Sequence, residues 1–174
     1  VARAKAAAVA KQLVKSLDAV LAYQNDEVVY RFVEDFKVSP SEAEEIFTET
    51  KRWLWLCAFQ VQEHAAGRAG FVEVPLFSEA FAVDMMWHTF LLFTSDYSDF
   101  CQKYFGFFIH HIPQTRAEKL SWQEQLKENA ELAIARRKEK LQTAYELIYD
   151  TLGEDVLLRW CEEFPAKFAS LNKS

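Results

Sequence analysis

Glycine and proline are scarce in this chain, and that scarcity limits the folds open to it. Four of each are spread over 174 residues, whereas a sandwich or barrel needs turn-formers roughly every 8–12 residues. Apolar residues recur instead at helical spacing. Hydrophobic residues make up 51% of the chain and charged ones 26%, enough to build a core and too apolar for wholesale disorder. The expectation is an all-α protein: one domain over residues 1–174, a single compact helical bundle of six to seven helices with one long C-terminal helix.

The helix boundaries follow from caps and stripes. Residues 1–22 are Ala-rich, with Val9, Leu13, Leu17 and Leu21 on one face, and read as an amphipathic helix. Asn25-Asp26 breaks it and caps a short helix through Val29, Phe32, Val33 and Phe36. Ser39-Pro40-Ser41-Glu42 is the clearest start signal, a capping box with Pro at the first helical position. The helix it opens runs through Ile46, Trp53, Leu54 and Val61 towards Ala66, and Gly67 and Gly70 end it. Phe71 to Pro75 reads as an extended connector. Ser78 is placed to cap a helix over 79–93, and Thr94 to Asp96 to start another that ends near Gly106. A long helix over 116–152 carries Leu126, Ala130, Ala133, Arg137, Leu141, Ala144, Ile148 and Leu152 on one stripe, with Arg136 to Lys140 as a solvated face. Gly153 stops it, and a last helix with Val156, Leu157, Trp160 and Phe164 precedes a frayed tail.

Charge and cysteine usage exclude several roles. A net charge of −6 and a pI near 5.3 argue against nucleic acid as a partner, which calls for basic residues to neutralise phosphates. They also argue against electrostatic attachment to a membrane surface. No apolar run reaches the roughly 18 residues of a membrane span. Cys57, Cys101 and Cys161 are far apart, with no CxxC pair, which suits reduced thiols in the cytoplasm better than a disulfide framework. Val1 stands where an initiator Met would, leaving room for a preceding segment.

The residues able to carry chemistry gather between Asp84 and Pro113, where three of the four histidines and one of the three cysteines lie among apolar and aromatic neighbours. The 79–93 helix is apolar on nearly every face, so it reads as a buried central one. Asp84 and His88 interrupt it four residues apart, on one face. Asp84 can orient the imidazole and leave its second nitrogen free for a metal, or the two can simply satisfy each other in the core. Cys101 shares a stripe with Tyr97, Tyr104 and Phe108 and faces inward. His110 and His111 are adjacent, so their side chains diverge and one of them is the better candidate for a shared site. Together Asp84, His88, Cys101 and His110 or His111 form an N/O/S set of the kind that holds Zn²⁺ or another transition ion. His64, at the end of its helix, reads as a surface residue compensating the helix dipole.

Asp84-x-x-Trp87-His88, then Leu92, Thr94, Tyr97, Cys101, Phe105-Gly106 and His110-His111-x-Pro113, resemble in order and spacing the core motif of the glycine-rich-domain-containing-protein-like family, which includes short bacterial proteins and plant glycine-rich domain proteins. The resemblance covers about thirty of the 174 residues. It implies a compact helical domain with a histidine-containing site. Two positions depart from the pattern: its second histidine falls at Phe90 and its acidic residue before the cysteine at Phe100. If those polar residues help to hold a metal, Asp84, His88, Cys101, His110 and His111 are the retained set.

No phosphate-binding glycine loop, nucleophile elbow or HExxH motif is present, and no catalytic residue is assigned. The sequence favours a non-enzymatic protein-interaction module built around a buried Asp/His/Cys cluster, its protein partner docking on Trp53, Trp55, Phe59, Trp122 or Trp160. The alternative is a domain that binds a Zn-like transition metal or a small ligand through the same cluster.

Overall fold

The computed structural model describes residues 13–72, 74, 80–112 and 115–173. Among them the chain is all-α, with α1 (Leu17–Leu21), α2 (Asp26–Phe36), α3 (Pro40–Ala65), α4 (Phe81–Leu92), α5 (Thr94–Tyr104), the long α6 (Arg116–Leu152), α7 (Glu154–Leu158) and α8 (Phe164–Lys167). A π-helical turn, Arg159–Glu163, joins α7 to α8, and a 3₁₀ turn, Ala169–Lys173, follows. The expected helix over residues 2–12, the connector positions 73 and 75, the Ser78 cap and Pro113 lie outside the described residues.

α3 is the hub, packed against α1, α2 and α4. Its start is built as the sequence predicts. The Ser39 hydroxyl accepts from the Glu42 amide at 3.3 Å, and the Glu42 carboxylate accepts from the Ser39 amide at 2.8 Å. α4 packs across α3: the Thr50 hydroxyl reaches the Val83 carbonyl at 3.4 Å, and Trp53 meets Trp87 at 4.9 Å and Phe47 meets Phe90 at 5.3 Å between rings. An aromatic cluster fills the space between α3, α4 and α5. Tyr23, Phe47, Phe90, Phe100, Tyr97 and Tyr104 meet at ring distances of 4.9–6.3 Å, edge-on or tilted apart from the stacked Tyr23–Phe90 pair, geometries the ring quadrupole favours. Phe90 and Phe100 are thus core residues.

Four expectations change. The helix expected over residues 1–22 breaks at Ser16, whose hydroxyl caps α1. The preceding residues use their polar groups on tertiary partners: the Val14 amide donates to Gln62 Oε1, the Lys15 amide to the Tyr104 carbonyl, and Trp55 Nε1 to the Lys15 carbonyl. A chain so engaged cannot close helical hydrogen bonds at the same time. The stripe expected on the long helix is interrupted at Asn129, which is extended (φ −158°, ψ 93°) and whose side chain accepts from the Leu132 amide at 3.0 Å, capping a second helical stretch. Arg137 lies over the Trp122 ring at 5.4 Å. In an uninterrupted helix, fifteen residues would separate the two by about 22 Å, so the chain folds back at Asn129 into a helical hairpin. The third change concerns α4: it is buried through Ala82, Val83, Met86, Trp87 and Phe90 but exposes His88 and Leu92, so it has one open face. Finally, the expected frayed tail packs down, with Phe168 and Leu171 in the core.

Two buried polar groups hold these pieces together. The Glu49 carboxylate on α3 is 2% exposed and accepts from Arg52 Nε at 3.0 Å, an Arg159 guanidinium nitrogen at 3.0 Å and Trp160 Nε1 at 2.9 Å. Arg159 and Trp160 are sequence neighbours, and the π-helical turn lets both reach one carboxylate. Lys51 Nζ donates to the Leu21 and Tyr23 carbonyls at 2.9 and 2.7 Å, tying the end of α1 to α3. The loop after α5 is fixed by the Tyr97 hydroxyl, which accepts from Trp87 Nε1 at 3.0 Å and donates to the Ile109 carbonyl at 2.8 Å.

Three outcomes follow from this arrangement. Glu49→Ala leaves two guanidinium groups and an indole without their acceptor and should cost about 3 kcal/mol, the low end for a broken buried pair because both arginines keep some access to water. Urea denaturation measures it, and a loss under about 1 kcal/mol would show the knot to be dispensable. Burial pushes the Lys51 ammonium down from 10.5 to about 8. Between those values the unfolded chain binds more protons at this site than the folded one, so rising pH stabilises the fold there. The stability of the wild type relative to Lys51→Met should therefore climb from pH 8 to 10.5; a difference flat with pH would contradict the assignment. Tyr97→Phe removes both bonds of its hydroxyl and should cost about 1–3 kcal/mol while speeding amide hydrogen exchange in residues 106–112. Unchanged exchange in that loop would show that something else holds it.

Candidate functional site

The chain brings one carboxylate and two imidazoles together at the open face of α4. Asp84 and His88 occupy consecutive turns of that helix, and His111 arrives from the loop after α5. His111 Nε2 is 3.0 Å from Asp84 Oδ1, and His88 Nδ1 is 3.6 Å from Asp84 Oδ2. Each carboxylate oxygen thus faces one ring, and the two imidazoles lie 4.3 Å apart between centroids. One donor atom from each of the three residues falls within 4.8 Å of the other two.

The position of His111 is set by aromatic neighbours. Its ring lies 4.4 Å from that of Trp87, which in turn packs on Trp53. Trp87 also donates to the Tyr97 hydroxyl that holds Ile109, two residues before His111. The same indole therefore supports the imidazole directly and anchors the loop that delivers it. The signal was present in the spacing, since Trp87 sits three residues after Asp84 and next to His88, but an aromatic at helical spacing reads first as packing.

The other candidates lie elsewhere. Cys101 is fully buried, and its thiol sits against the Tyr97 hydroxyl and the Ile109 backbone amide; burial pushes its pKa up, opposed by those two hydrogen bonds. It does not join the three-residue group. Burial likewise pushes the Cys57 thiol up, which leaves both as poor nucleophiles. The three cysteines form no disulfide among the described residues. His110 is exposed and packs on Phe108 at 4.8 Å between rings, so the divergence expected of adjacent histidines is seen, with His111 the one that faces Asp84. His64 is exposed at the end of α3, its Nδ1 3.4 Å from the Ala69 carbonyl.

The cluster is not buried as a unit. The side chains of Asp84, His88 and His111 are 35%, 54% and 20% exposed, so water and small solutes reach it. Chemically the set offers one oxygen and two nitrogens, a combination suited to Zn²⁺, Fe²⁺, Co²⁺ or Ni²⁺. Of the aromatic residues expected to form a docking patch, Trp53 and Trp160 are buried, and Trp55, Phe59 and Trp122 are half-buried. No helix among the described residues is long and apolar enough to cross a membrane.

Comparison with known proteins corrects the family reading. No curated protein and no solved structure matches the chain. The family whose sequence model does match is UCP032817-like, over residues 36–147. The resemblance to the glycine-rich-domain-containing-protein-like family therefore does not stand: it rested on about thirty residues and failed at Phe90 and Phe100, where aromatic core stands in place of the polar residues of that pattern. The UCP032817-like match extends from the last residue of α2 through α3, α4 and α5 and most of α6, the candidate cluster included, and the chain belongs to the UCP032817-like family.

Proposed function

We propose that this chain binds a divalent transition metal, the ion held by Asp84, His88 and His111. The observation that carries this reading is the convergence of three donor atoms from two separate segments to within 4.8 Å of one another. Donors on one ion at metal–ligand distances near 2.0–2.1 Å lie roughly 3.0–3.4 Å apart, so the three donor atoms, within 4.8 Å of one another and with each ring now facing a different Asp84 oxygen, draw together when an ion enters. Trp87 behind His111 and the Tyr97–Ile109 bond fix the approach of the ring, the kind of support on which metal affinity depends. Three protein ligands leave at least one position for a molecule from outside.

A second reading keeps the chain as a non-enzymatic interaction module. The observation favouring it is the hairpin of α6, where Leu120, Leu132 and Ile134 are exposed. Metal binding separates the two. Calorimetric titration of the protein with Co²⁺ or Zn²⁺ should give a near-stoichiometric site, and His88→Ala, an exposed substitution that leaves the core untouched, should weaken it by at least about a hundredfold. Quenching of Trp87 fluorescence by Co²⁺ gives an independent signal from the ring that lies 4.4 Å from His111. Equal, weak binding by wild type and His88→Ala would overturn the metal reading and leave the interaction module standing.

A further inference from the structure

His111 reaches the cluster on a loop, and that loop is pinned at Ile109, two residues earlier. The Ile109 carbonyl accepts from the Tyr97 hydroxyl at 2.8 Å, and the Ile109 amide donates to the Cys101 thiol. Tyr97 and Cys101 stand four residues apart on α5, on consecutive turns of one face, and both are fully buried. They also bond to each other. Tyr97 spends its one hydrogen on the Ile109 carbonyl, so between the two the thiol is the donor and the phenol oxygen the acceptor. The bonds close a ring that runs from Cys101 to Tyr97, from Tyr97 to the Ile109 carbonyl, and from the Ile109 amide back to Cys101. Trp87 Nε1 adds a further bond to the Tyr97 oxygen, at 3.0 Å.

A buried cysteine without a task is a small apolar filler, and its sulfur needs no partner. Here the sulfur supplies the acceptor for a backbone N–H of a half-buried loop residue, a group that is costly to leave without one. Two residues of chain span at most about 7 Å, so a shift of Ile109 passes to His111 with little slack. A metal site is sensitive to such shifts, since its donors have to sit within about 0.5 Å of their productive positions. The thiol thus lies outside the three-residue group but is bonded to the segment that completes it. On the metal reading given above, we propose that Cys101 is a positioning residue of the Asp84–His88–His111 site. It holds the Ile109 amide as Tyr97 holds the Ile109 carbonyl, and the two together set where the His111 ring meets the ion.

The test titrates the full chain with Co²⁺ in three forms: wild type, Cys101→Ala and Cys101→Ser. A serine hydroxyl can accept from the Ile109 amide and donate to Tyr97, whereas alanine can do neither. Cys101→Ala should weaken Co²⁺ binding about tenfold, the low end for a residue that supports a ligand without touching the metal, and should speed amide exchange from Ile109 to Ile112. Cys101→Ser should recover most of that loss. The Co²⁺-loaded wild type should show no thiolate-to-metal charge-transfer band in the near ultraviolet. Equal Co²⁺ affinity in wild type and Cys101→Ala would overturn the inference and leave the metal reading intact. Equal weakening in both variants would overturn it as well, by tracing the effect to the volume of the sulfur and not to its hydrogen bonds. A charge-transfer band that disappears in both variants would make Cys101 a ligand instead. Absence of Co²⁺ binding by the wild type would remove the metal reading, and with it this role for Cys101.

Discussion

The Glu49 carboxylate is the constraint on which most of this architecture depends. A carboxylate this deeply buried is expensive unless its lone pairs are filled, and they are filled from two directions. Arg52 comes from the same helix, and Arg159 and Trp160 come from more than a hundred residues further on. Satisfying Glu49 therefore obliges the C-terminal segment to return to α3. Once it has returned, Phe164, Phe168 and Leu171 have a core to enter, and they close it beside α4. The helices around α3 are held by burial, which is not directional; the carboxylate adds a point that admits one register.

The candidate site is built outward from that core. α4 is pressed to α3 through Val83, Met86, Trp87 and Phe90, which leaves Asp84 and His88 on the side away from it. The loop after α5 has no regular hydrogen bonding to hold it, so its placement falls to the Tyr97 hydroxyl and to the contact of Trp87 with His111. One helix, α4, and one tethered loop thus meet where Asp84, His88 and His111 gather. The supporting residues are aromatic and buried, the donors polar and partly open to water. A change in the donors should consequently leave folding nearly untouched, while a change in Trp87 or Tyr97 disturbs both.

How much of this could be read from the sequence depends on the range of the interaction. Ser39 to Glu42 was legible because a capping box is complete within four residues, and the Asp84–His88 pairing because helical spacing alone brings the two together. His111 could not be separated from His110 in advance, since the choice between adjacent residues is made by Trp87 and Ile109 at a distance. Cys101 faces inward beside Tyr97, as its stripe implied, but nothing in the stripe said that its thiol would also meet the Ile109 amide and not the histidines. The break at Ser16 was hidden for the same reason, because Gln62 and Tyr104 draw the preceding backbone out of the helix. Asn129 sat within an unbroken run of good helix formers, and only the capping bond it makes to Leu132 marks the turn. The apolar content of α4 was read correctly and its meaning was not: Leu92 is apolar and exposed, which periodicity does not foresee.

The fold-back at Asn129 divides the molecule in energetic terms. Ala133, buried within that hairpin, is not part of the core cluster, whereas Leu141, Ala144 and Ile148 further along the same helix are. Among the described residues, none from Arg116 to Arg137 belongs to that cluster, and Trp122 under Arg137 is a contact the stretch makes with itself, so its opening exposes little of the core surface. Such a segment has a local free energy of opening well below the global one. Cooperativity in this chain is accordingly graded: the hairpin can come apart and re-form while Glu49 and the residues around Asp84 stay in place.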